Sequence, residues 1–237
     1  MWSRVFDFQL REKIMKVRLL SIILLLGFAS CNAQTNRQNE AVKPPDKQNI
    51  LIVYLSRTGN TEAVAKMIQK EVGGDLVALE LEKPYPKDYR AIVDQVAKEN
   101  ESGFLPPLKT KIDNIEKYNT IFIGFPTWGM QLPPPMKSFL SQYDLSGRTI
   151  IPFNTNAGYG VGSGFRQVKG LAPRATVLEG FEIKGGIERD GVLFVMEGEK
   201  EHEVRTSINA WLLNIGQMKQ AQNKLGKWRD YAKSYIK

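Results

Sequence analysis

The sequence predicts an α/β protein: an open sheet of five parallel strands in three layers, with helices on both faces. Two patterns predict it. Five apolar runs rich in β-branched and aromatic residues recur between residues 50 and 183, and helix-period stretches lie between them and after the last. The leading run is apolar throughout rather than alternating, as expected of a strand covered on both sides. Strands alternating with helices in this way call for right-handed crossover connections.

The first run, residues 50–55 (ILIVYL), opens the domain. Behind it, Ala63, Val64, Met67, Ile68 and Val72 share one face of a helix over 60–72, and Gly73-Gly74 stops that helix. Further strands are predicted at 76–81, 120–125 (TIFIGF), 149–153 (TIIPF) and, as one continuous element, 175–183 (ATVLEGFEI). Helices are predicted at 88–100, 135–142, 163–170 and 201–215. Residues 185–200 form either a short hairpin turning at Arg189-Asp190-Gly191 or a lid over the site.

The 237 residues are 42% hydrophobic and 24% charged, which excludes wholesale disorder. No repeat of 20 to 50 residues is present. The stretch 49–215 suits one domain burying roughly 70% of its unfolded surface. A single cysteine, Cys31, excludes a disulfide framework and a cysteine-cluster metal site, and the lone His202, read as a solvated residue, leaves little for zinc. The net charge of +8 suggests nucleic acid at first sight. Without the first 30 residues it falls to +5, with no basic run in the core, so no nucleic-acid partner is expected.

Residues 1–30 read as a signal peptide. The 12-residue apolar run LLSIILLLGFAS (19–30) follows Lys16 and Arg18 and is too short for an ordinary membrane span. Met15 offers a second plausible start. The run ends in FASC, which resembles the lipobox of bacterial lipoproteins and implies lipidation at Cys31, a membrane anchor and an exported, periplasmic or cell-surface location. Residues 31–48 are polar and proline-containing, a tether unable to pack a core. Over 216–237, Met218, Ala221, Leu225, Trp228, Ala232 and Tyr235 recur at helical spacing among basic residues. They read as a basic amphipathic helix that docks on its own domain, on a membrane surface or on another chain.

In parallel sheets ligands sit beyond the carboxyl ends of the strands, which directs attention to three loops. Ser56, Arg57, Thr58, Gly59, Asn60 and Thr61 lie between the first strand and its helix. Their hydroxyls and backbone donors at a helix start suit one phosphate. With neither GK[ST] nor GxGxxG, the loop fits neither a nucleoside triphosphate nor a dinucleotide. Pro126, Thr127, Trp128 and Gly129 follow the third strand and offer an indole face for stacking. Asn154, Thr155, Asn156, Ala157, Gly158, Tyr159 and Gly160 follow the fourth and combine amides, glycines and a second aromatic ring. A phosphate nest, a stacking face and an amide-rich edge together suit FMN. Arg57 either neutralises the phosphate or points to water, and water is the favoured expectation.

With YLSRTGNT, GFPTW and an Asn/Gly-rich third loop, the chain resembles the flavodoxin family from about residue 50 to 215. The resemblance implies a flavodoxin-like fold and FMN as cofactor. The first loop would surround the ribityl phosphate, and the second and third would flank the isoalloxazine. Two departures stand out. Relatives often carry a second Trp and a third-loop His where this chain has Gly129 and Asn156, and carriers of the family are commonly acidic. Three functions are compatible: an electron carrier serving a redox partner protein or a small-molecule acceptor; an FMN-dependent NAD(P)H oxidoreductase acting on quinones or similar acceptors; and a non-redox lipoprotein with an empty flavin pocket. No pyridine-nucleotide signature is present, which favours the carrier.

Overall fold

A computed structural model describes residues 49–218. The signal peptide, Cys31, the tether, and the predicted C-terminal helix from residue 219 onward lie outside the described residues. Among the described residues no helix is long and apolar enough to cross a membrane.

The core of the molecule is a parallel sheet in the order β2-β1-β3-β4-β5. Its strands are β1 (Ile50–Tyr54), β2 (Asp75–Ala78), β3 (Thr120–Pro126), β4 (Thr149–Asn156) and β5 (Thr176–Val177), with β6 (Phe181–Lys184) also paired to β4. The helices are α1 (Asn60–Val72), α2 (Tyr89–Ser102), α3 (Pro134–Gln142), α4 (Gly164–Leu171) and α5 (Gly198–Asn214).

Alternation along β1 builds the three layers. Ile50, Ile52 and Tyr54 face one side, where they pack with Val64 and Ile68 of α1 and Val204, Ile208 and Trp211 of α5. Leu51, Val53 and Leu55 face the other, against Met136 and Phe139 of α3 and Val168 of α4. The expected α/β sheet with five parallel strand positions is therefore present, and the fully apolar runs are explained by two covered faces.

The fifth position is not one continuous strand as predicted. Thr149 and Ile150 pair with Thr176 and Val177, whereas Phe153 pairs with Phe181, so one extra residue is accommodated between the two pieces. The interruption behaves as a bulge. Trp211 Nε1 donates to the freed Glu179 carbonyl at 3.0 Å, and the ring of Phe165 leaves no room for a side chain at Gly180. β2 is also shorter than predicted. Beyond it Leu79 still donates to the Tyr54 carbonyl at 2.8 Å, but Leu81 turns to form a lone bridge with Leu108.

Residues 185–200 combine both expectations for that segment. Ile187 bridges Val192 around a short 3-10 turn, Glu188–Asp190, and Ile187, Glu188 and Arg189 reach the main cavity.

Two glycines test how tightly the sheet is packed. A Cβ at Gly124 in β3 would collide with the ring of Phe153 on β4, while Gly170 in α4 faces open space. Gly124→Ala is expected to cost about 1–3 kcal/mol by overpacking and lower the thermal midpoint by roughly 3–10 °C. Gly170→Ala should hold or raise the midpoint, because alanine is the better helix former. Calorimetry on the two variants checks the opposite signs.

Candidate functional site

The loops after β1, β3 and β4 converge on one cavity of about 580 Å³ beyond the carboxyl ends of the strands. This is inside the range of small-molecule sites. Its lining includes Arg57, Thr58, Asn60 and Thr61 from the first loop; Pro126, Thr127, Trp128 and Gly129 from the second; and Thr155, Asn156, Ala157, Tyr159 and Gly160 from the third. Ser56, Gly59, Asn154 and Gly158 are not among the lining residues.

The β1-α1 turn is built around its backbone. Gly59 caps α1 in the left-handed region at φ 84°, which glycine adopts without the Cβ penalty. Its carbonyl accepts from Ala63 at 2.9 Å, and Ser56 Oγ accepts from the amide of Glu62 at 3.2 Å. The N–H groups of Ser56, Arg57, Thr58, Gly59, Asn60 and Thr61, by contrast, donate to no protein group among the described residues. Asn60 and Thr61 are buried, at 4% and 2% exposure. Buried N–H groups left without a partner at a helix start call for an acceptor, and the helix dipole favours an anionic one. A phosphate monoester fits this need.

The side chains of the same loop are committed elsewhere. Asn60 Nδ2 donates to the Thr58 hydroxyl at 2.8 Å and the Leu193 carbonyl at 2.6 Å, and its Oδ1 accepts from the Val195 amide at 3.1 Å. Thr61 and Thr155 share a hydroxyl contact of 2.8 Å, locking the first loop to the end of β4. Arg57 corrects the expectation that it points to water. Its side chain is only 18% exposed; Nε lies 2.8 Å from Glu188 Oε1, and the terminal nitrogens donate to the Pro86 and Lys87 carbonyls at 2.9 and 2.7 Å. A guanidinium so occupied fastens three segments together rather than serving the phosphate.

The third-loop amides also turn inward. Asn154 is fully buried, its Nδ2 donating to the Phe125 carbonyl at 2.9 Å, and Thr127 Oγ1 donates to the Gly160 carbonyl at 3.0 Å. Asn156 Oδ1 accepts from the Gly158 amide at 2.9 Å and its Nδ2 donates to Asn154 Oδ1 at 3.2 Å. The two asparagines thus clamp the second and third loops in one geometry, with Tyr159, 66% exposed, lining the cavity beyond them.

Trp128 meets the ring of Tyr85 edge to face, with centroids 5.3 Å apart. Tyr85 in turn donates its hydroxyl to the buried Glu99 carboxylate, which also accepts from Gln95 Nε2 at 2.8 Å. Burial first, and then the neighbouring Glu99, push the Tyr85 phenol well above its ordinary pKa, so it stays a donor and the indole stays oriented.

One wall was missed by the loop-centred sequence reading. Tyr89, Ile92, Val93, Val96, Ala97 and Asn100, all on α2, line the cavity. The spacing that predicted a helix at 88–100 was the available signal, but a helix of this periodicity ordinarily covers a core.

Comparison with known proteins bears on the same region. A protein-family model described as Flavodoxin matches residues 49–197. Flavodoxin of Synechocystis sp. (strain ATCC 27184 / PCC 6803 / Kazusa) is 26% identical over 124 residues, 51% of this chain and 59% of the relative, so the match spans under two thirds of that protein. Among solved structures, a protein of Bacteroides eggerthii DSM 20697 described as a flavoprotein superposes with TM-score 0.58 at 28% identity, over 70% of this chain and 97% of the other. A flavoprotein of Lactobacillus acidophilus NCFM solved in complex with FMN has TM-score 0.52 at 22% identity, over 61% of this chain and 98% of the other, a likeness of fold. With the family match covering the β1-α1 turn and both loops that frame the cavity, this chain belongs to the flavodoxin family.

Proposed function

We propose that the protein binds FMN in this cavity and carries electrons while tethered to a membrane outside the cytoplasm. The observation that carries the cofactor reading is the run of six backbone N–H groups, Ser56 to Thr61, without a protein acceptor. They would hold the phosphate, and the α1 dipole would stabilise its charge. Trp128 and Tyr159 would flank the ring system, the former held edge-on by Tyr85. The absence of GxGxxG and of a GK[ST] turn favours a monophosphate over a dinucleotide or triphosphate. When bound, FMN supplies the one- and two-electron chemistry.

This chain's residues would orient the cofactor and limit its contact with water. The Asn154-Thr127-Gly160 and Asn156-Gly158 bonds keep the two ring-flanking loops from spreading. The Arg57-Glu188 pair holds residues 185–200 against the phosphate turn. The apolar run at 19–30 and the FASC sequence support export and lipidation at Cys31.

Three measurements test the reading. Titrated into flavin-free full-length protein, FMN should bind at least about a hundredfold more tightly than riboflavin, since the phosphate contributes several charge-assisted hydrogen bonds. Equal affinities would remove the phosphate turn as the anchor. NAD(P)H incubated with the FMN-loaded protein should persist until a separate reductase is added; rapid consumption by the protein alone would replace the carrier with the oxidoreductase reading. Cys31→Ser should abolish labelling by palmitate and move the protein from the membrane to the soluble fraction, and unchanged membrane retention would exclude the lipid anchor.

A further inference from the structure

Residues 185–197 join β6 to α5, and only their two ends belong to the packed sheet. At the first end the Gly185 amide donates to the Asn156 carbonyl at 2.8 Å. At the second, Met196 is buried in the cluster under α1 and α5, with Val195 packed against it. Between these ends the chain forms a hairpin. Ile187 bridges Val192, and the two legs approach so closely that a Cβ at Gly186 would collide with the Val192 and Leu193 carbonyls. The hairpin has little core of its own: Val192, Leu193 and Phe194 are 45%, 52% and 44% exposed. Segments held by few buried apolar contacts open more readily than the fold around them.

What holds the hairpin down comes from the phosphate turn. Asn60 bonds it as a neighbouring strand would: Nδ2 donates to the Leu193 carbonyl at 2.6 Å, and Oδ1 accepts from the Val195 amide at 3.1 Å. Arg57 Nε pairs with Glu188 at 2.8 Å, while its terminal nitrogens hold the Pro86 and Lys87 carbonyls. The Phe194 ring lies over Gly59, 3.2 Å from where a Cβ would stand. Both side chains that fasten the hairpin therefore belong to residues whose backbone N–H groups have no protein acceptor among the described residues. An anion that fixes those N–H groups also fixes the roots of Arg57 and Asn60, and so stabilises the closed hairpin. By linkage the closed hairpin stabilises the bound anion to the same extent.

We propose that residues 186–194 are a phosphate-responsive strap: seating a phosphate on the Ser56–Thr61 amides and closing the hairpin against the turn are one coupled event, which slows release of the cofactor. The proposal rests on the FMN reading and adds to it a control on FMN exchange. Glu188 is a positioning residue, acting through Arg57 on the turn. Riboflavin, which has the ring system without the phosphate, leaves the strap as it is in the flavin-free protein.

Amide hydrogen exchange read by mass spectrometry on the full-length, flavin-free protein tests the coupling. FMN at about a hundredfold above its Kd should slow exchange over residues 187–195 at least about tenfold, and inorganic phosphate at the same saturation should do likewise. Riboflavin at that saturation should change the same amides less than about twofold. Glu188→Ala should speed FMN release about threefold, followed by recovery of flavin fluorescence on dilution, and riboflavin release less than about 1.5-fold. Equal slowing of exchange by riboflavin and FMN, no slowing at full FMN occupancy, unchanged FMN release in Glu188→Ala, or equal acceleration of both flavins would overturn the proposal. If Glu188→Ala does not fold, the exchange comparison on the unaltered chain decides alone. A chain that takes up no FMN rejects the cofactor reading instead; the inorganic phosphate measurement then decides, with protection of residues 187–195 supporting the strap and its absence rejecting it.

Discussion

Where β1 hands the chain to α1, six consecutive amides, Ser56 to Thr61, have no protein acceptor among the described residues. A helix start always leaves donors unpaired, but at an exposed end water supplies the acceptors. Here Asn60 and Thr61 are buried, so water is a poorer answer and an anion a better one. The rest of the site serves to keep that turn in place. Thr61 is bonded to Thr155 across the sheet, Asn60 to residues 193 and 195, and Arg57 to Glu188 and the carbonyls of Pro86 and Lys87.

This division of labour inverts what the polar side chains suggest. The loops are rich in hydroxyls and amides, and each could have been a ligand contact. Most are spent on holding loops against each other, because a cavity walled by three separate loops must resist their independent motion before it can bind anything. The network from Asn154 through Thr127 to Gly160 and from Asn156 to Gly158 does this for the ring-flanking loops. Trp128 is held by a third device, an edge-on Tyr85 whose hydroxyl is anchored on a buried carboxylate. The backbone N–H groups of the β1-α1 turn are left without a protein acceptor, and aromatic and aliphatic side chains line the cavity.

The apolar side of α2 both buries residues and lines the cavity. Its buried aliphatic residues sit apart from both clusters that flank the sheet. Ile92 and Val96 are nonetheless buried, and the same side of the helix lines the cavity. Periodicity records that a helix has an apolar side; it carries no record of what that side meets.

Much of the fold was legible in the chain. Apolar runs such as ILIVYL and TIFIGF specify strands with two covered faces, Gly73-Gly74 ends α1, and Asp88 caps α2 by accepting from the Ala91 amide at 2.8 Å. These are local properties, set by side-chain period and by residues a few positions apart. So is the position of the SRTGNT turn between strand and helix, which marked the end of the sheet where the site lies. Contacts across 28 to 135 residues were decided only by the tertiary structure: the inward turn of Asn154, the capture of Arg57 by Glu188, the clamp from Asn60 to Val195 and the bulge beside Gly180. A side chain's type limits what it can bond, while its actual partner depends on which distant segment the fold brings within about 3 Å.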